Sequence, residues 1–172
     1  MTPELSRSIA LDTIGSAPRS LHVEANEAER IALARRFGLL SLDRLVADVT
    51  YHAGDAGIDA SGTLEAYLVQ PCAASGAPVP ASLSEPFTLR FIAPVAADPG
   101  VDEIEIEPDD LDVIEHDGRT VDLGEAVAQT LGLSLDPFPR SADADRILKD
   151  AGVLGEDETG PFAALKGLFN KT

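Results

Sequence analysis

Two stretches of period-two alternation, joined by a glycine-rich break, constrain this chain more than any other feature. Between Leu42 and His52, Leu45, Ala47, Val49 and Tyr51 fall on one face, and Arg44, Asp48, Thr50 and His52 on the other. Between Ile58 and Gln70, the residues Ile58, Ala60, Leu64, Ala66 and Leu68 share a face. Successive side chains of a strand point to opposite faces, so each run reads as a half-buried strand. Gly54-Asp55-Ala56-Gly57 supplies the turn, and the pair reads as an antiparallel hairpin with one wet face. Phe87 to Phe91 is a third such run, with Phe87, Leu89 and Phe91 inward.

Around this hairpin the period changes. Leu5 to Ile14 alternates in part and reads as a first strand, continued at Leu21-His22-Val23 after a break. Asn26 then stands as a helix N-cap with Glu29 three residues on, the spacing of a capping box, and Gly38 can close the C-terminus. Ile31, Leu33, Ala34 and Phe37 give that helix its apolar face. After a proline-bearing loop, Ile104 and Ile106 alternate with Glu103, Glu105 and Glu107, which predicts a short strand with an acidic face. Leu111 to Glu115 continues to His116-Asp117-Gly118-Arg119, where Asp-Gly predicts a hairpin turn. Asp122 caps a second helix, with Glu125 at the capping-box position and Gly132 near its end. Pro137 and Pro139 stop that helix and fix an extended exit. Beyond Arg140 at most one weak helix is expected, near Ala142–Ala151. Strands interrupted by two helices, with hairpin-type links, point to an α+β fold built on a mostly antiparallel sheet. The expected organisation is one domain over 1–140, an acidic, partly flexible linker over 141–160, and a short amphipathic helix over 161–172.

Charge divides the chain. The net charge is −17 over 172 residues, and residues 98–160 carry 19 acidic against 4 basic side chains. Nucleic-acid affinity comes mainly from Lys and Arg neutralising phosphates, so this zone would repel an RNA backbone and attract a basic protein. An acidic surface also needs no partner, since it keeps a protein soluble. Arg30, Arg35 and Arg36 on the first helix, with Arg44, are the candidates for a small RNA-binding patch. The terminal segment brings Phe162, Leu165, Leu168 and Phe169 onto one stripe of a helix opening at Pro161. That stripe either folds back on its own core or docks in a partner's groove. With Glu103, Glu105 and Glu107, these four are the candidate partner-binding residues.

Catalytic and metal chemistry find no footing. One cysteine and three widely spaced histidines cannot supply the four ligands of a structural zinc site. Asp109-Asp110-Leu111-Asp112 lacks the glycine and closing glutamate of a calcium loop. There is no nucleophile elbow and no glycine-rich phosphate loop. Cys72 reads as a small packing residue. No cofactor, metal or catalytic residue is therefore assigned. The lone cysteine, the start at Met1–Arg7 and the absence of an apolar run near 18 residues make cytoplasmic the expected location, away from membranes.

The order of these pieces resembles the YceD-like family of bacterial proteins. The resemblance runs from Leu5 to Phe169 and is carried by Val69-Gln70-Pro71-Cys72, Ser84–Phe91, Asp122-Leu123-Gly124-Glu125 with Leu135-Asp136-Pro137-Phe138-Pro139-Arg140, and Pro161-Phe162-Ala163-Ala164-Leu165. Where a Cys-x-x-Cys would stand in relatives, this chain has Cys72 and Ser75. The resemblance implies a non-enzymatic role in large-subunit ribosomal RNA accumulation. Joined to the charge pattern, it gives an adaptor for a basic ribosomal or RNA-processing protein, with direct RNA binding as the alternative.

Overall fold

The computed structural model describes residues 3–94 and 112–152. Seven strands and three α-helices follow in the order β1 (Ser8–Ala10), β2 (Arg19–Glu24), α1 (Glu27–Phe37), β3 (Ser41–Ala53), β4 (Ile58–Pro71), β5 (Pro78–Ile92), β6 (Asp112–Glu115), β7 (Thr120–Asp122), α2 (Leu123–Ser134) and α3 (Ala144–Asp150). The fold is α+β with a mostly antiparallel sheet. Its spine is the meander β3-β4-β5, flanked by β2 on one side and β6 on the other, and β1 pairs separately with β7. Among the described residues no helix is long and apolar enough to cross a membrane.

The alternating runs form the hairpin that their period predicts. Leu45, Ala47, Val49, Tyr51, Ile58, Ala60, Leu64, Ala66 and Leu68 are all buried, and so are Phe87, Leu89 and Phe91 across the next ladder. Leu123, Val127 and Leu131 of α2 and Leu33 of α1 join the same core. Fully burying a side chain of this size contributes about 1.5–3 kcal/mol. The opposite face carries Thr50, Ser61, Thr63, Tyr67, Ser84 and Thr88 in exposed positions, so the sheet has one wet side.

Three expectations need correction. The first strand does not run from Leu5 to Ile14 and on through Val23. It divides into β1 and β2, which belong to different sheets, because Leu5 turns into the core and the Leu11 N–H bonds Arg119 O at 2.9 Å. The third run is longer than Phe87–Phe91. β5 begins at Pro78 and contains Pro78, Pro80 and Pro86, which are tolerated because β6 pairs only with Leu89–Ile92 and leaves the rest of that edge free of a described strand. Asp117-Gly118 does make a turn, with Gly118 at φ 81° and the Asp117 carboxylate accepting from Arg119 N and Thr120 N. Yet it does not join a hairpin, since β6 runs parallel to β5 while β7 pairs with β1. As expected, Gly132 lies near the end of α2, which closes at Ser134 with Leu135 extended. Its lack of a Cβ accommodates Phe37, since a methyl there would lie 2.7 Å from the ring.

The helix signals that rest on neighbouring residues hold. Asn26 accepts from Glu29 N at 3.0 Å and Glu29 accepts from Asn26 N at 2.8 Å, completing the capping box. Gly38 ends α1 at φ 65°, a left-handed conformation that a Cβ disfavours. The weak helix expected near Ala142–Ala151 is α3.

Candidate functional site

The signature block begins as a junction. The Asp122 carboxylate caps α2 by accepting from Gly124 N at 3.0 Å and Glu125 N at 3.1 Å. It also holds the N-terminal segment, accepting from Arg7 N at 2.7 Å and Ser6 Oγ at 2.5 Å. Gly124 permits this approach, because a Cβ at that position would lie 2.7 Å from Arg7 N and 3.0 Å from Leu5 O. The expected capping box at Glu125 does not close. Its carboxylate is turned to the Arg36 guanidinium, which donates to both oxygens at 2.9 and 2.8 Å. A bidentate ionic pair outcompetes a bond to one backbone N–H.

The second half of the block is a docked exit. Gln70, the buried polar residue at the inward end of β4, donates from Nε2 to Asp136 O at 2.9 Å. Ala73 N donates to Pro139 O at 2.8 Å, and Pro139 is buried. Ser141 N donates to Cys72 Sγ at 3.3 Å. The Asp-Pro-Phe-Pro run thus lies against the β4–β5 turn, with Phe138 left 74% exposed. Arg140 pairs with Asp145 of α3.

Cys72 is buried and reduced. The Ser141 N–H and the hydroxyls of Ser75 and Ser141 all favour the thiolate and lower its pKa to about 6. The chain's two matched signals, Cys72 and the exit, therefore meet in one place. Gln70 belongs to the motif that carries the resemblance, but its inward role was missed, although its parity with Leu64, Ala66 and Leu68 places a polar group on the inward face. Among the described residues no group of three or more His, Cys, Asp or Glu side chains is arranged to hold a metal ion.

The four candidate arginines do not form one patch. Arg36 is consumed by Glu4 and Glu125, and the hydrogen bond to Glu125 first among its contacts raises its pKa. Arg44 sits on the wet face of the sheet near Glu65, at 3.9 Å. Arg30 and Arg35 remain together beside Leu39 and Leu40, although Arg30 also donates to Ala25 O at 2.7 Å. Glu103, Glu105 and Glu107, like Phe162, Leu165, Leu168 and Phe169, lie outside the described residues.

Another acidic feature lies within the described residues. A recess of about 330 Å³ opens between α2 and the β6–β7 turn. Glu115, Asp117, Asp122, Glu125, His116 and Gln129 are part of its wall. Asp122 and Glu125 of the signature thus face a cavity as well as holding the fold.

Comparison with known families finds a match. The model of the family described as large ribosomal RNA subunit accumulation protein YceD matches residues 60–169. No curated protein and no solved structure matches the chain. The matched span covers β4 from Ala60 onward, β5, the signature helix with its docked exit, and the terminal segment as far as Phe169. This chain belongs to the YceD family of large ribosomal RNA subunit accumulation proteins.

Proposed function

We propose that this protein is a non-enzymatic factor in large-subunit ribosomal RNA accumulation that acts by holding a basic ribosomal or RNA-processing protein. The general, ribosome-related role follows from the family. The observation that supports a protein partner is the acidic recess beside α2, walled by Glu115, Asp117, Asp122 and Glu125. In the sequence, the strand that supplies Glu115 is preceded by an acidic stretch, residues 98–112, and the whole molecule carries −17. A lysine- or arginine-rich surface would be drawn to this side from a distance and oriented by it. Glu103, Glu105 and Glu107 are the proposed steering residues.

Recovery of partners from lysate, with and without nuclease, tests the reading. Nuclease-resistant capture of ribosomal or processing proteins is expected, and large-subunit RNA should fall in cells depleted of the protein. Loss of every partner on nuclease treatment would instead favour direct RNA contact, for which Arg30 and Arg35 are the arginines that stand together.

A further inference from the structure

A groove of about 460 Å³, lined by both apolar and charged side chains, runs between α1 and the start of β3, outside the acidic recess. Its existence follows from the ladder. β2 pairs with β3 only as far as Glu24↔Val46, so Ser41–Arg44 has no strand neighbour on that side among the described residues. The face of α1 that would meet a longer β2 is left open. Ile31 is consequently 48% exposed and Leu40 54% exposed, with Leu39 and Ala34 between them. Two branched apolar side chains standing open on one small groove mark an interaction surface.

We infer that the occupant of this groove is the chain's own terminal segment 161–169, seated through Phe162, Leu165, Leu168 and Phe169. The first support is where the described chain ends. Leu40 N bonds Val69 O at 2.8 Å, and Cys72, three residues beyond Val69, accepts from Ser141 N at the root of α3. The chain therefore leaves toward Gly152 from the same end of the sheet as the groove. Eight residues then lie between Gly152 and Pro161, and eight extended residues span up to about 27 Å. The second support is chemical. Arg30 and Arg35 stand at the groove together with Glu27 and Asp43. The segment brings Glu156, Asp157 and Glu158 before its stripe and Lys166 within it, a mixed pattern that both charge types of the groove can meet. A nine-residue helix is marginal alone in water, so the segment needs a surface. This inference does not depend on the identity of any partner.

The test uses the full chain in a Cys72→Ser background carrying Leu40→Cys with Leu168→Cys. Mild oxidation should give an intramolecular disulfide at least tenfold faster than in a control pairing Thr88→Cys with Leu168→Cys, since Thr88 lies on the wet face of the sheet. A cross-linked dimer whose yield rises with concentration would assign the groove to a second copy and overturn the inference. A rate equal to the control would overturn it too. A second measurement keeps Cys72 and reads melting temperature in Ile31→Asp, Leu165→Asp and the double variant. Each single change should lower it, and the double should fall no further than the lower single. An unchanged temperature in Ile31→Asp, or strictly additive losses, would show an empty groove and end the proposal.

Discussion

At the scale of single residues, one carboxylate does the most. Asp122 accepts four close hydrogen bonds, two from its own helix and two from the N-terminal segment. Asp122→Ala should destabilise the protein by about 2–3 kcal/mol, combining a lost cap with unsatisfied donors. Urea unfolding reads this directly, and a loss under about 0.5 kcal/mol would contradict the junction. The cap itself was legible in the sequence, because Asp122 and its helix are neighbours in the chain. The two bonds to Ser6 and Arg7 were not, since those partners are 116 and 115 residues away. Glu29 supplies the pH dependence. The Arg7 guanidinium, donating at 2.8 and 3.1 Å, and then the Asn26 N–H hold its pKa below the ordinary carboxylate value. The folded carboxylate is thus harder to protonate than the unfolded one. Its stabilisation is fully present above about pH 4.5 and is lost as pH falls through the lowered folded value. In Glu29→Gln this part of the acid-induced loss should vanish, which melting curves from pH 7 down to 3 will show.

At the scale of elements, α1 and α2 are fastened by Arg36, which reaches Glu125 on α2 and Glu4 before β1. A double-mutant cycle with Arg36→Met and Glu125→Gln should give a coupling of about 0.5–1.5 kcal/mol, and near-zero coupling would demote the pair to a surface contact. Existence and type of most elements were legible, because burial imposes period two on strands and local caps mark helix ends. Pairing was not. The alternation around Asp117-Gly118 reveals two short strands, but periodicity carries no information about which sheet each enters, and β6 and β7 enter different ones. The apolar spacing of α1 likewise placed Ile31 with Leu33, whereas only Leu33 is buried, since β2 ends too early to cover the other.

At the scale of the whole molecule, charge governs encounter with others. Association with a basic partner should slow as salt rises between roughly 50 and 300 mM, and Glu103→Gln, Glu105→Gln and Glu107→Gln together should reduce the association rate more than they raise dissociation. Stopped-flow kinetics distinguish the two, and a salt-independent association rate would rule out acidic steering. Composition made this asymmetry visible at once, while the recess by α2 needed the fold, because its acids come from β6, the following turn and the helix. The ladder between β1 and β7 has a consequence of a different kind. Ser8 and Asp122 are 114 positions apart, so synthesis delivers the first strand long before its partner exists. A growing chain can zip the β3-β4-β5 meander as it emerges, whereas the first strand must wait, unpaired, until the signature helix follows it out. Closing so long a loop is entropically costly and slow. The fold of this protein therefore seals last at a strand made long before its partner, and a nascent chain halted before Thr120 has no way to seal it.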